Sequence, residues 1–330
     1  MRSYFPAMHF ALSPDQLTRI TEGATATTVR AGVFRIEGPG AVDCLQGLLT
    51  NDVAGPGPSS LVYGALLTPK GMIVVDGWVM RLEDRLFFLC DESGRLRAAE
   101  IFRRSLPPRL ARVADLSDEW SVVWMNGKES GAVLEASGIG TLPAAGRVTQ
   151  LQAGAWLASG KASAPFEGLI LADPATTAEI RPRILAGGAS EGTATMVGAA
   201  MVLAGWPALG REIEERTLPQ EVRFDELDGV SYSKGCYTGQ ETVARVHFRG
   251  HVNRVLRGVV FEAEEPLADV QLTSNGKEIG IVHSSTSVRG QVLGLAMIRR
   301  EISEGDEVTA GSRKGRVVAL PFPASVVSHV

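Results

Sequence analysis

Apolar and polar positions alternate over Ala31–Glu37 as a half-buried strand requires, and Gly38-Pro39-Gly40 then turns the chain. Residues 43–49 follow, with Cys44, Leu45, Leu48 and Leu49 spaced for a short helix with a buried side. Two apolar runs of strand length, 62–68 and 72–80, are separated by Pro69-Lys70-Gly71, the composition of a hairpin connection. A third strand is expected at 85–90. Residues 91–102 predict a helix that buries Leu96, Ala99 and Ile101 and leaves Arg95, Arg97 and Glu100 in water, until Pro107-Pro108 ends it.

Strand character returns at 121–125, 155–158 and 168–172, with Gly- and Ala-rich connections between. From about Leu256 short strands alternate with turn signals at Asn275-Gly276, Gly305-Asp306 and Gly311-Ser312, which predicts a small all-β unit. Helices mixed with antiparallel strands, and no regular β-α-β alternation, make the first two thirds α+β. The expected units are 1–115, 116–250 and 251–330, with the first two free to interleave. No solenoid-like repeat is present.

Composition narrows the function classes. A chain of 330 residues with 45% hydrophobic content can build two or three cores without disulfide or metal staples. The net charge is −4 and no long run of Lys and Arg occurs, so nucleic acid is not expected as a direct partner. Cys44, Cys90 and Cys236 are far apart and odd in number, which argues against a disulfide framework and fits a reducing cytoplasm. Residues 1–12 carry one Arg and are interrupted by Pro6, unlike a secretory leader, and no stretch has the length of a membrane span. A cytoplasmic protein without a membrane partner is therefore expected.

The densest candidate chemistry is K-G-C-Y-T-G-Q-E at 234–241, followed by Val243-Ala244-Arg245. Lys234 lies two residues before Cys236, where an ammonium could favour the thiolate; alternatively Gly235 and Gly239 shape a turn in which Cys236 merely packs. Lys234, Gln240 and Glu241 could order the loop, and Arg245 could pair with a ligand carboxylate or with Glu241. His247 and His251 have H-x-x-x-H spacing but no third ligand nearby, a weak zinc pattern. Cys44 and Cys90 sit in apolar surroundings and read as structural. A lone cysteine cannot hold an iron–sulfur cluster, which requires further thiolates.

The 234–241 segment resembles the signature of the YgfZ-type folate-binding proteins, relatives of a mitochondrial iron–sulfur assembly factor and of the glycine-cleavage aminomethyltransferase. Supporting pieces stand in the same order: G-P-G-A-V-D-C-L-Q-G-L-L-T-N-D-V at 38–53, L-L-T-P-K-G at 66–71, A-G-W-P at 204–207, L-P-Q-E at 218–221 and G-V-S-Y-S at 229–233. The resemblance spans about residues 31–250. It implies a three-domain aminomethyltransferase-like fold, two α+β domains and a C-terminal β-barrel, around an opening that receives tetrahydrofolate. It also implies support of iron–sulfur cluster assembly or repair, with iron–sulfur enzymes or assembly proteins as partners and tRNA modification as a downstream effect.

On this resemblance Cys236, Lys234 and Asp76 are the candidates for chemistry. Glu221, Asp76, Tyr237, Gln240, Arg245 and Asn51 are the candidates for holding folate, with Glu221 at the pterin. Two departures stand out. Val75 replaces the first acid of the aminomethyltransferase pair that ends in Asp76, so glycine-cleavage turnover is not expected. Met201 stands where many relatives carry Arg. The competing reading is a true aminomethyltransferase, which transfers a one-carbon unit to tetrahydrofolate.

Overall fold

The computed structural model describes residues 8–152, 154–262 and 267–327. The expectation for residues 1–12 falls largely outside them. Three sheets organise the chain. The first is antiparallel throughout, in the order Ser60–Leu67, Ile73–Arg81, Arg85–Asp91, Ala31–Glu37, Arg112–Asp115. Strand alternation divides its side chains between two cores. Phe34, Ile36, Val75, Val79 and Phe88 meet helix Arg95–Ser105, while Val33, Tyr63, Trp78, Phe87 and Leu89 join the central core.

The expected helix over 91–102 is displaced and rotated. A 3-10 turn at Glu92–Gly94 precedes the α-helix, whose buried residues are Ala98 and Phe102; Leu96 is 82% exposed, and Ala99 and Ile101 are half-buried. Phe102 sets this rotation. Its ring meets Phe34 and Phe88 edge-on, each at 5.4 Å, and burying the largest side chain outweighs burying Leu96. The earlier helix is also shorter than expected: Ala41–Gln46 is helical, and Leu48 and Leu49 lie in the turn beyond it.

The second sheet runs in the order Ser190–Glu191, Thr25–Val29, Ser121–Asn126, Gly168–Ala172, Ala155–Ser159, Val148–Gln152. Helix Ala194–Ala204 escaped prediction because Ala, Val, Met, Leu and Gly occupy all its sides, so no amphipathic period marks it. Strands Lys277–Val288, Val270–Ser274, Glu307–Ala310, Arg313–Val318, Arg254–Phe261 and Gln291–Arg299 form a six-stranded barrel, closed by pairing of the first with the last. Asn275 and Gly276 both have positive φ, +49° and +73°, as a two-residue hairpin turn needs.

Sheet membership does not follow the chain in consecutive blocks. Met8–Ala11 pairs in parallel with Lys277–Val288 of the barrel, and Thr25–Val29 belongs to the second sheet. The architecture is mixed α and β with a C-terminal barrel, as the resemblance implies. Among the described residues no helix is long and apolar enough to cross a membrane.

Candidate functional site

Three of the singled-out segments converge. Lys234 reaches back to the turn after helix Ala41–Gln46 and donates to the carbonyls of Gln46, Leu49 and Asn51 at 2.5, 2.6 and 2.9 Å. Backbone bonds extend this seam: Thr238 N donates to Gly47 O at 3.1 Å and Ser231 N to Thr50 O at 3.0 Å. The Thr50 hydroxyl donates to Gly229 O at 2.6 Å. On the other flank, Gly239 (φ +82°) presses against the tip of the 68–72 hairpin. A Cβ there would lie 2.6 Å from Thr68 O, so only glycine fits. Helix Gln240–Arg249 starts from this joint.

The motif residues separate into anchors and a tip. Lys234 and Tyr237 are buried, whereas Gly235 and Cys236 between them are exposed. The Lys234 ammonium has three donors, and three carbonyls take them; this makes it a clamp on the 46–51 turn, in place of the expected thiol activator. Burial pulls its pKa down to about 8, opposed by the nearby Asp52 carboxylate. The same ammonium lies 4.9 Å from the centre of the Tyr237 ring. The Tyr237 phenol is pushed up to about 12 by burial and by Asp225, and its hydroxyl meets no hydrogen-bond partner among the described residues. Gln240 Oε1 accepts from Tyr237 N at 3.3 Å, a loop-ordering bond. Arg245 and Glu241 are both exposed, and among the described residues no ion pair joins them.

Asp76 lies on the inner face of the first sheet, beneath a group of rings. Tyr63 donates its hydroxyl to Asp76 Oδ2 at 2.8 Å, and its ring contacts Trp206, Trp78 and Phe224 at centroid distances of 4.5, 5.0 and 5.1 Å. Trp78 and Trp206 stack at 5.4 Å, and Phe166 meets the edge of Trp78 at 5.0 Å. Asp76 itself is partly buried at this cage, with protein packed densely around it. Burial pushes its carboxyl up to about 6, against the opposing pull of the Tyr63 bond. The Tyr63 phenol is driven well above its usual range by burial and the facing carboxylate, so Tyr63 is the donor at neutral pH.

Asn51 belongs to the same neighbourhood: its amide donates to Tyr63 O at 2.9 Å and Asp228 O at 2.6 Å. It ties the clamped turn to the strand that carries Tyr63. Val75 points the other way. Adjacent strand residues face opposite sides, and Val75 is fully buried in the core under helix Arg95–Ser105. A missing acid at 75 therefore removes nothing from the Asp76 side.

Glu221 does not stand free for a pterin. One carboxylate oxygen accepts from Leu218 N at 2.9 Å and the other from Arg254 Nε at 3.1 Å, which joins the turn Pro219–Val222 to the first barrel strand. Arg223, its sequence neighbour, donates instead to Gly205 O and Leu320 O and pairs with Glu226. Met201 is half-buried against the central core. His247 stacks on Tyr232 at 3.7 Å and pairs with Asp225 at 3.4 Å. Among the described residues no group of three potential metal ligands occurs. Hollows of about 480 Å³ on the barrel flank and about 420 Å³ beside Trp156 include neither Asp76 nor Cys236 in their linings. The chemistry is therefore better located by its side chains than by these two hollows.

Sequence reasoning missed the ring cage. Trp206 stood in the quoted A-G-W-P segment without a role, and Tyr63 and Trp78 sit at opposed positions of the hairpin. That register was the signal available, since Tyr63, Trp78 and Asp76 share one face once the hairpin is paired.

Residues 21–141 match the family described as the GCVT N-terminal domain. An aminomethyltransferase of Rubrobacter xylanophilus is 26% identical over 94% of this chain and 87% of its own length. A tRNA-modifying protein YgfZ of Enterobacter sp. strain 638 is 29% identical over 88% of this chain and 90% of its own. Its namesake from Serratia proteamaculans is 35% identical over 31% of this chain and 33% of its own. Among solved structures, the glycine cleavage system aminomethyltransferase T from Bartonella henselae superposes with a TM-score of 0.81 at 20% identity, covering 94% of this chain and 89% of that one.

Proposed function

We propose that this chain, a YgfZ-type member of the glycine-cleavage T-protein superfamily, binds a reduced folate at the ring cage around Asp76 and acts in the cytoplasm as an accessory to iron–sulfur enzymes. The observation that carries this reading is the partly buried Asp76 carboxyl, held by Tyr63 among Trp78, Trp206 and Phe224. A pterin is planar and offers N–H donors along one edge. Aromatic side chains suit its faces, and a carboxylate suits that edge. Arg245, exposed and without an ion pair among the described residues, is available to the anionic glutamyl tail.

Iron–sulfur support rests on the likeness to the YgfZ proteins and on the placement of Cys236. Its thiol is exposed between two buried anchors, where another protein can reach it. One thiol cannot ligate a cluster, so remaining ligands belong to the partner. Effects on tRNA modification then arise through client enzymes. Isothermal calorimetry with tetrahydrofolate tests the first half: a dissociation constant in the micromolar range, roughly −8 kcal/mol, is expected. Failure to saturate at millimolar ligand overturns it. Rescue of iron–sulfur enzyme activity by wild type but not by Cys236→Ala tests the second half.

A second reading, aminomethyl transfer to tetrahydrofolate, is favoured by the placement of Asp76. With a pKa near 6 this carboxyl can hold or release a proton at neutral pH, and Val75 lies on the other side of the sheet. The accessory reading expects no turnover with an aminomethyl-lipoyl protein. Turnover that disappears in Asp76→Asn would establish the second reading instead.

A further inference from the structure

Charge on this chain is unevenly placed. Residues 95–112 hold six arginines, no lysine and one acid, Glu100: a net +5 on 18 residues of a chain whose total is −4, leaving −9 on the rest. Two of the arginines are engaged, Arg95 with Asp115 and Asp118 and Arg104 with Glu100. Arg97, Arg103, Arg109 and Arg112 are exposed and have no side-chain partner among the described residues.

The same region leaves apolar side chains in water. Leu96 is 82% exposed, Leu110 47% and Val113 36%. Helix Arg95–Ser105 runs beside strand Arg112–Asp115, as the Arg95–Asp115 pair at 2.8 Å requires. Arg103 stands two helical turns from Leu96, on the same outward side. Val113 is opposite Ile36 in register, which puts it on the sheet face that the helix covers. Strand Arg112–Asp115 is also an edge of its sheet, with one side unpaired. Leu96 and Arg103 thus share the outer side of the helix, and Val113 lies at the sheet edge beside it.

We propose that this face is a docking surface for a separate acidic protein, one whose carboxylates meet Arg97, Arg103 and Arg109 around apolar side chains that cover Leu96, Leu110 and Val113. Arginine without lysine, interleaved with apolar groups, is the composition of protein interface centres. An RNA backbone would pair with the arginines but leave the leucines without a partner. A second copy of this chain is disfavoured, because a two-fold axis through the face would set its unpaired arginines against their own copies. The inference is independent of the folate reading.

Site-specific photo-crosslinking in cells tests it, with p-benzoylphenylalanine replacing Leu96 or, as a control, the exposed barrel residue Lys277. The expected product from position 96 is a defined protein adduct, insensitive to ribonuclease, rich in Asp and Glu, and at least ten-fold more abundant than any adduct from position 277. Adding Arg97→Glu, Arg103→Glu and Arg109→Glu should cut that yield ten-fold while the melting temperature and the tetrahydrofolate titration stay unchanged. Equal yields at the two positions overturn the proposal. So do an adduct that ribonuclease removes, a crosslinked second copy, or a yield that survives charge reversal. If the triple variant melts early, the single variant Arg103→Glu replaces it, and a two-fold or greater fall in yield is then required.

Discussion

The Tyr63 hydroxyl donates to Asp76 across 2.8 Å from a diagonal position on the neighbouring strand, since Tyr63 is paired with Trp78 and Asp76 with Ala65. This bond holds an ionisable carboxyl among rings, in a setting that favours its neutral form.

That setting has a consequence for stability. The Asp76 pKa moves from 3.8 to about 6 on folding, so the unfolded chain releases this proton first as pH rises. Stability is unaffected by the group below about pH 4, falls between about 4 and 6, and above that carries a penalty of at most about 3 kcal/mol. Asp76→Asn keeps an acceptor for Tyr63 and removes the charge. It should raise the melting temperature at pH 7.5 and leave it nearly unchanged at pH 4, measured by calorimetry. A difference that does not vary with pH would mean that Asp76 titrates normally.

Alkylation should reach Cys236 before the other two thiols, because it alone is exposed. Burial drives Cys90 far above the usual thiol range, and burial together with Asp43 raises Cys44. Lys234→Met should leave Cys236 the first thiol labelled, since the ammonium is taken up by carbonyls of residues 46–51. The same change should cost about 2 kcal/mol of stability by stripping those carbonyls of their donor. A ten-fold slower labelling of Cys236 in a variant that stays folded would restore Lys234 as the activator of the thiol.

Glu221→Gln separates ligand contact from structure. Both carboxylate oxygens already serve Leu218 N and Arg254, so tetrahydrofolate affinity should change less than two-fold while the melting temperature drops. A ten-fold loss of affinity without loss of stability would return Glu221 to the pterin.

The two motif glycines should respond very differently to alanine. At Gly239 the left-handed backbone and the 2.6 Å approach to Thr68 O predict a loss of about 2 kcal/mol or more. At Gly235 nothing lies within 4 Å of an added Cβ, so the change should stay within about 0.5 kcal/mol. Chemical denaturation of both variants checks the contrast, and equal losses would mean that the joint with the 68–72 hairpin yields.

Much of the local structure was determined by the sequence itself. The strand runs near 31, 62, 72 and 85 and the Asn275-Gly276 hairpin follow from side-chain period and turn chemistry, which act over a few residues. The 234–241 motif marked the segment that clamps the turn at 46–51. What the sequence could not determine depends on partners distant along the chain. Helix Arg95–Ser105 turned its buried side to Phe34 and Phe88, against its own pattern, because the largest ring available found a place between them. Lys234 was diverted from Cys236 by carbonyls about 185 residues earlier, Glu221 from a ligand by Arg254, and Val75 from Asp76 by the strand pleat. An ammonium or carboxylate leaving water goes to whichever fixed partner lies within hydrogen-bond reach, and only the packing of the three sheets sets that partner.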